Sequence, residues 1–433
     1  MKACIYTLGC RVNQYESDAI MQELKKYGAT IVSSSEKADI CIINTCSVTS
    51  ESDRKSKQII RRLISKNSQA TVIVTGCFSQ INPDDAMNIQ GVSLVCGNND
   101  KSLIAKRAIE LYNEKSASCQ IIMSDIYNGK FDVMSVGAPL TRTRAFIKIQ
   151  DGCDSKCAYC IIPQARGSVR SNLLENILAE ASTITSQGCG EIVFTGIETA
   201  SYGKDFKNKH SLKDLLKEAN KIEGLKRIRL GSLDPSAITR DFVDGIKDLS
   251  SIMPHFHISM QSGCTKTLND MKRKYNIEMA KRSISYLKES FPSLMLSADV
   301  ITGFPGESDE DFQETLSFFK EAKFLHLHIF PYSKRTGTLA AKMPNQVPED
   351  VKKERLHKLQ EQQKEIKHQL LSSFISSTNK VEVLFETFDN EYILGHTPNF
   401  IEVKVKHDRN RSGEFLFVKP THTDGEYIYA ELI

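Results

Sequence analysis

The chain has 433 residues and no tryptophan, an absence that by itself excludes no class of fold. No apolar run approaches the ~20 residues of a membrane-spanning helix, so we expect no membrane association. The apolar stretch at the N terminus is too short for a signal peptide, and we therefore expect a cytoplasmic protein that is not exported. Its 12 cysteines are then expected to be reduced thiols or metal ligands rather than disulfides.

The bulk composition is that of an ordinary globular protein, with 40% hydrophobic and 25% charged residues. The length allows about two to four domains. The formal net charge of +4 permits a nucleic-acid partner without requiring one.

Three cysteines, Cys153, Cys157 and Cys160, lie in one short string with the spacing C-x3-C-x2-C. Three thiolates on one loop can bind three irons of a [4Fe–4S] cluster and leave the fourth iron open to a substrate. The alternatives are buried thiols or a zinc site, but structural zinc sites use four ligands in paired C-x2-C groups, and no fourth ligand is nearby. The spacing therefore favours a catalytic iron–sulfur cluster.

Three further cysteines, Cys10, Cys46 and Cys77, each come just after a short apolar run that predicts a buried parallel strand. A helical pattern follows each run, at about residues 17–27, 51–64 and 83–89. This order predicts a doubly wound parallel sheet with its ligands at the carboxyl ends of the strands. One such cysteine would ordinarily be a core residue. Three at equivalent positions predict a second open-iron site.

Residues from about 143 to 332 alternate between strand-like and helical patterns. The predicted strands are 145–150, 191–195, 227–231, 256–260, 294–300 and 325–330, and the predicted helices are 173–186, 212–221, 236–249, 277–289 and 308–322. Six strands with crossover helices predict an open, partial (β/α) barrel with its chemistry at the carboxyl ends of the strands. Paired histidines on two of the strands, His255 with His257 and His326 with His328, are expected to fill a polar barrel interior.

The rest of the sequence contains a charged helical region followed by a strand-rich region. Residues 349–369 mix charges at helical spacing and predict a solvated linking helix. From residue 379 onward, runs at 381–385, 401–405 and 414–418 separated by turn residues predict a small β-barrel. This last segment carries six Lys and Arg against ten Asp and Glu, so we do not expect it to bind RNA by bulk charge.

Together these regions resemble the radical S-adenosylmethionine (SAM) methylthiotransferases. The aromatic residue before Cys160 resembles the radical SAM cluster motif, whose open iron takes the amino and carboxylate groups of SAM, and the string 395–403 resembles a TRAM module. The resemblance implies an α/β protein with a doubly wound parallel sheet domain (residues 1–135), a partial (β/α)6 radical SAM barrel with its linking helix (140–372) and a small TRAM β-barrel (375–433).

The resemblance also implies which residues contact SAM: Tyr159, Gly196, Glu198, Ser232, Asp234, Gln261, Ser262 and Gly303. Tyr159 is expected to pack on the adenine, Gly196 to allow close backbone approach, and Glu198 to accept a hydrogen bond from the SAM amine. Two positions depart from the family's pattern. Many relatives have Asn or His in place of Glu198, and relatives tend to have Glu in place of Asp234.

The first cysteine motif, residues 7–17, resembles the branch that modifies N6-threonylcarbamoyladenosine in tRNA. The branch that acts on isopentenyladenosine usually has a Thr-Tyr-Gly-Cys-Gln-Met-Asn-like string. The branch that acts on an aspartate of a ribosomal protein usually has a Leu-Gly-Cys-Pro-Lys-Asn-like string. Both substrates remain alternatives, as does a two-cluster, RNA-binding redox sensor without catalytic activity.

The implied mechanism uses two [4Fe–4S] clusters and SAM, with all six cysteines as catalytic metal ligands. One cluster cleaves SAM to a radical that takes hydrogen from C2 of adenine 37, and the other holds a sulfur that is methylated and transferred. The implied partners are the tRNA anticodon stem-loop and a reductant such as a flavodoxin or ferredoxin, with an unknown sulfur donor.

Several basic stretches could contact such an RNA. One is the predicted helix with six cations between residues 54 and 66, and a second is the triplet 272–274. A third is the predicted rim of the radical cluster, formed by Arg142, Arg144, Lys148, Arg166 and Arg170. A local cluster in the last domain comprises Lys404, Lys406, Arg409 and Arg411.

Overall fold

The N-terminal domain is built on one parallel sheet. The structure, a computed structural model, describes residues 1–114, 118–137, 143–207 and 210–433. The elements of this domain are β1 (Lys2–Thr7), α1 (Arg11–Lys26), β2 (Thr30–Ile31), β3 (Ile40–Thr45), α2 (Ser50–Lys66), β4 (Thr71–Gly76), α3 (Cys77–Ile81), α4 (Pro83–Met87), β5 (Leu94–Cys96), α5 (Ile104–Glu114) and β6 (Gln120–Ile122). The strand order is β2-β1-β3-β4-β5-β6.

Continuous burial explains why these runs form a central sheet. Every residue of β3 is buried, because helices cover both faces of the sheet. One core packs α1 and α5 against the sheet, and a second packs α2 on the opposite face. The predicted doubly wound arrangement is therefore confirmed.

The N-terminal domain differs from the predictions at the start of α1 and in one additional short helix. Helix α1 begins at Arg11 rather than near residue 17, since its first turns carry buried polar side chains such as Asn13 and Glu16 instead of an apolar pattern. The short helix α3, which starts at Cys77, was not predicted.

The central domain contains six parallel strands in an open barrel. Its elements are β7 (Ala145–Lys148), β8 (Gln150–Asp151), α6 (Ile162–Arg166), β9 (Arg170–Ser171), α7 (Leu174–Ser186), β10 (Glu191–Thr195), α8 (Leu212–Ala219), β11 (Arg227–Leu230), α9 (Arg240–Ile246), β12 (His255–Gln261), α10 (Thr265–Asp270), α11 (Ile277–Ser290), β13 (Met295–Thr302), α12 (Asp309–Ala322) and β14 (His326–Pro331). Strands β7, β10 and β11 form one half of the barrel and β12, β13 and β14 the other. Parallel bridges at Ile228–Ile252 and Leu233–Ile258 join the halves. The predicted partial barrel is confirmed.

A 29-residue helix, α13 (Glu349–Ser377), leads into a closed C-terminal barrel. The strands are β15 (Val381–Phe388), β16 (Tyr392–His396), β17 (Glu402–Lys406), β18 (Phe415–Thr423) and β19 (Ile428–Leu432), in the order β15-β16-β17-β19-β18. Three of these strands were predicted, and β16 and β19 were not. No helix among the described ranges is both long and apolar enough to cross a membrane.

The C-terminal barrel closes the amino-terminal end of the central barrel. Arg229 donates to the carbonyl oxygens of Thr397 and Pro398 at 3.0 and 2.9 Å, and Arg227 donates to that of His396 at 3.1 Å. These contacts, made from β11, fix the C-terminal barrel against the central barrel. The predicted domain boundary at residue 140 and the predicted rim residue Arg142 lie outside the described residues.

Candidate active site

The structure brings Cys10, Cys46 and Cys77 to one edge of the N-terminal sheet. They follow β1, β3 and β4, which are adjacent strands. The first two loops touch, because a Cβ added at Gly9 would lie 3.0 Å from the Cβ of Cys46. Burial, followed by the charge of Cys77, raises the pKa of Cys46 to about 11. The three cysteines therefore lie together at the carboxyl edge of adjacent strands.

Two asparagines support this site. The Asn13 amide donates to the carbonyl oxygens of Leu8 and Thr45 at 2.7 and 2.9 Å and so holds two of the cysteine loops together. Asn98 lies 3.7 Å from the sulfur of Cys77 and also donates to the carbonyl oxygen of Ala165 at 2.8 Å. Because Ala165 belongs to α6, the second asparagine links this edge of the sheet to the central domain.

The other cysteine set lies on the loop between β8 and α6. Gly152 immediately precedes Cys153 and has φ +72°, and a Cβ there would lie 1.9 Å from the Ser168 carbonyl oxygen, so only glycine fits. The backbone N–H groups of Ser155 and Ile162 point at the sulfurs of Cys153 and Cys160, both at 3.4 Å. Such donors favour the thiolate form that binds iron.

Arg273 is the principal site residue that the sequence does not reveal, because it lies between Lys272 and Lys274 and resembles part of a surface cluster of cations. Its guanidinium contacts the Cys157 sulfur at 3.3 Å and the Tyr159 hydroxyl at 3.4 Å. It also pairs with Asp234 at 2.7 Å. A single cation thus joins the cysteine loop to the loop after β11.

Gln150, directly before the cysteine motif, joins that motif to the loop after β10. Its amide nitrogen donates to the carbonyl oxygen of Gly152 at 2.6 Å, and its amide oxygen accepts the backbone N–H of Glu198 at 2.8 Å. Gly196 lies against the same side chain, with a Cβ there falling 2.8 Å from the amide oxygen. Burial, and then the charge of Asp234, raises the pKa of Glu198 to about 7.

The remaining predicted SAM contacts fall into two groups. Tyr159 packs edge-on against Phe304, with ring centroids 6.4 Å apart, beside the cysteine loop. The half-buried Ser232 and Gln261 follow or end barrel strands, and Gln261 has φ +62°. Gly303 follows β13 and packs against helix α13. Ser262 instead contacts the Thr315 hydroxyl of α12 at 3.2 Å and accepts the backbone N–H of Cys264 at 3.1 Å. These roles stay predictions.

A buried group of ion pairs lies between the two cysteine sites, and sequence reasoning did not find it. Glu16 of α1 pairs with Lys101, with Lys148 of β7 at 3.0 Å and with Arg166 of α6 at 2.6 Å. Asp151 accepts from Arg166 and Lys148 at 3.2 and 3.3 Å. Despite the desolvation that opposes ionisation, the surrounding cations lower the pKa of Glu16 well below its usual range.

This group corrects the predicted basic rim. Lys148, Arg166 and Arg170 are buried rather than exposed to RNA, and Arg144 is bound to Glu386 and Glu191. Among the other predicted basic stretches, the exposed cations are Arg54, Lys55, Arg61 and Arg62 on α2, together with Lys272, Lys274, Lys406 and Arg409.

Each cysteine set fits an open-iron cluster in the chemistry of its donors. Each offers three thiols, and each has nearby amide or guanidinium donors that stabilise sulfur-bound negative charge. Within the described residues, no three His, Cys, Asp or Glu side chains converge closely enough to hold a single metal ion. A [4Fe–4S] cube does not require that convergence, since each thiolate binds a different iron.

Comparisons with known families divide the chain at the same place as the structure. Residues 2–97 match the uncharacterized protein family UPF0004, and residues 147–319 match the radical SAM superfamily. The first match contains Cys10, Cys46 and Cys77, and the second contains the C-x3-C-x2-C motif.

Curated relatives match over almost the full length. The chain is 39% identical over 417 residues to the threonylcarbamoyladenosine tRNA methylthiotransferase MtaB of Bacillus subtilis, covering 96% of this chain and 92% of that protein. It is 32% identical over 430 residues to a tRNA-2-methylthio-N(6)-dimethylallyladenosine synthase of Alkaliphilus oremlandii, covering 96% and 90%.

Among solved structures, the radical SAM methyltransferase TsrM from Kitasatospora setae, with cobalamin and a [4Fe–4S] cluster bound, has a similar fold. The TM-score is 0.58 at 13% identity, covering 76% of this chain and 74% of that one. At this identity the likeness concerns the fold alone.

Proposed function

The chain belongs to the radical SAM methylthiotransferases, in the MtaB-like branch, and on that premise we propose that it methylthiolates C2 of N6-threonylcarbamoyladenosine at position 37 of tRNA. The proposed product is 2-methylthio-N6-threonylcarbamoyladenosine (ms2t6A). Because tRNA is the proposed substrate, we expect the reaction to take place in the cytoplasm.

The observation that carries the proposal is the presence of two three-cysteine sites at one domain interface. An aromatic C2–H bond is not acidic enough for base catalysis, so attaching sulfur there requires both a radical and a source of sulfur. One open-iron site can generate the radical, and the other can hold the sulfur. Glu16, which pairs with two residues of the central domain, holds the two sites in a fixed relation.

The proposed cofactors are two [4Fe–4S] clusters and SAM. When bound, a cluster on Cys153, Cys157 and Cys160 would supply the electron that cleaves SAM, and one on the N-terminal cysteines would hold the sulfur that a second SAM methylates. The chain's own residues keep the loop of Cys153, Cys157 and Cys160 in position. Arg273 fixes Cys157 relative to Asp234, and Gln150 fixes the loop relative to Glu198.

The tRNA anticodon stem-loop is the proposed macromolecular substrate. Exposed cations on α2, which begins four residues after Cys46, offer contacts to its phosphates. A reductant protein such as a flavodoxin or ferredoxin is the proposed electron donor.

Isopentenyladenosine is the second candidate substrate. The 32% identity to a dimethylallyladenosine-modifying relative over most of both chains favours it more than it favours the ribosomal-protein aspartate. A redox sensor without catalysis is a weaker proposal, since a sensor does not need the predicted SAM-binding residues at the ends of the barrel strands.

Nucleoside mass spectrometry of tRNA from cells with and without this gene tests the proposal. We expect the methylthio form of threonylcarbamoyladenosine to disappear on deletion while its precursor accumulates. Loss of the methylthio form of isopentenyladenosine instead would establish the second candidate. An unchanged tRNA profile would contradict both and direct attention to the ribosomal-protein aspartate.

A further inference from the structure

A cavity of about 340 Å³ lies where all three domains meet. Its walls include Phe146, Arg229 and His255 from the barrel strands, Phe400 from the C-terminal barrel and Arg11 from the N-terminal domain. Arg11 is the first residue of α1 and directly follows Cys10. The cavity wall therefore includes the residue that directly follows Cys10, a proposed cluster ligand.

Two of the three arginines in this wall are already neutralised. Arg229 pairs with Glu191 at 2.9 Å, and each of its two terminal nitrogens donates one hydrogen bond to a backbone carbonyl oxygen. Arg144 is bound to Glu386 and lies 3.5 Å from Glu191. The positive charge of each of these two guanidinium groups is already balanced by a carboxylate.

Arg11 is different. Its side chain is exposed to the cavity and makes no ion pair or hydrogen bond with any residue in the described part of the chain. An unpaired guanidinium that faces a cavity is stabilised by an incoming anion.

Resting on the proposed function, we propose that Arg11 binds the carboxylate of the substrate's threonylcarbamoyl group. This N6 substituent ends in one carboxylate and carries a hydroxyl, and a guanidinium can bind a carboxylate through two parallel hydrogen bonds. The substituent is attached to the same six-membered ring as C2, so it extends from the reacting carbon by about the reach of one side chain. Arg11 directly follows Cys10, a proposed ligand of the cluster that holds the sulfur, and lines the cavity.

The same residue accounts for discrimination between tRNA substrates. An isopentenyl group carries no charge and would leave the Arg11 guanidinium desolvated and unpaired. A site built around a charged hydrogen bond rejects an analogue that lacks the partner group.

The test compares two synthetic anticodon stem-loop RNAs, one with threonylcarbamoyladenosine and one whose threonyl carboxylate is replaced by a primary amide. Binding to the anaerobic, cluster-loaded enzyme is measured by fluorescence anisotropy, and kcat and KM are measured for both RNAs. We expect the wild type to bind the carboxylate RNA roughly ten- to hundred-fold more tightly, the range for a charged hydrogen bond. Arg11→Gln is expected to bind both RNAs equally.

Two further variants make the result specific. Arg11→Lys keeps the charge and is expected to retain most of the preference. Arg61→Gln removes an exposed cation of α2 and is expected to weaken binding of both RNAs by the same factor. A carboxylate preference that survives in Arg11→Gln would overturn the proposal.

SAM also carries a carboxylate. A SAM titration shows whether Arg11 binds the carboxylate of SAM or that of the threonylcarbamoyl group. We expect Arg11→Gln to bind SAM as the wild type does. A loss of SAM affinity with the RNA preference intact would assign Arg11 to SAM and overturn the inference. If the wild type converts neither RNA, the proposed function itself fails, which is a different result from conversion without an effect of Arg11.

Discussion

The two cysteine sites differ in how the chain assembles them. Cys153, Cys157 and Cys160 occupy one loop of a few residues, whereas α1, β2, β3, α2 and β4 separate Cys10 from Cys77. The first site is determined by local spacing. The second exists only because β1, β3 and β4 are neighbours in a parallel sheet and end at the same edge. The comparison shows that the second site depends on the folded sheet, while the first depends mainly on its own loop.

The most extensive effect is expected from removing either set of cysteines. We expect about eight irons per wild-type chain and about four when all three cysteines of one set are replaced by alanine. Anaerobic iron and sulfide analysis measures this, with Cys119→Ala as a control because Cys119 belongs to neither set. Loss of all iron from the N-terminal triple variant would show that the two sites do not assemble independently.

Glu16 connects the two regions, and its removal is expected to weaken the interface between them. Glu16→Gln would leave Lys101, Lys148 and Arg166 buried with one fewer negative partner, which costs about 3–5 kcal/mol. Anaerobic calorimetry should show a melting temperature lowered by several degrees. Glu23→Gln on the same helix breaks only an exposed pair with Lys26 and should change it little.

The stabilisation by Glu16 has a defined pH dependence. Since its pKa is lower in the folded protein than in the unfolded chain, its contribution is present above the unfolded value and is lost as the pH falls through the folded value. An acid-induced loss of stability that is identical in wild type and Glu16→Gln would contradict this assignment.

Glu180 lies at the same interface, and its contribution to stability is expected to have the opposite pH dependence. It accepts the Val136 N–H at 2.7 Å and faces the Tyr15 hydroxyl at 3.2 Å, and burial raises its pKa to about 7. A raised pKa means that its contribution is present below the unfolded value, 4.5, and is lost as the pH rises through about 7.

The measurement for Glu180 is the melting temperature between pH 5 and pH 8. Wild-type stability is expected to fall by about 1–3 kcal/mol as this carboxyl ionises, and Glu180→Gln should flatten the profile. A variant profile as steep as that of the wild type would assign the titration to another group.

Patterns within short segments were predictable from the sequence. The spacing of the barrel cysteines, the apolar runs of β3 and β4 and the alternation of strands and helices indicated the domains. Pairings between distant segments were not predictable. Arg273 lies 39 residues from Asp234, and Arg166 lies 150 residues from Glu16. Without those partners, both arginines resembled surface cations, although one is fully buried and the other contacts the cysteine loop.

The most direct test of the division of labour measures two products in one reaction. Wild type, Cys153→Ala and Cys10→Ala are each incubated with SAM, a reductant and tRNA that carries threonylcarbamoyladenosine. We expect Cys153→Ala to form neither 5′-deoxyadenosine nor the methylthio nucleoside, and Cys10→Ala to retain some 5′-deoxyadenosine without any methylthio product. Equal 5′-deoxyadenosine formation by both variants and the wild type would contradict the assignment of separate roles to the two sites.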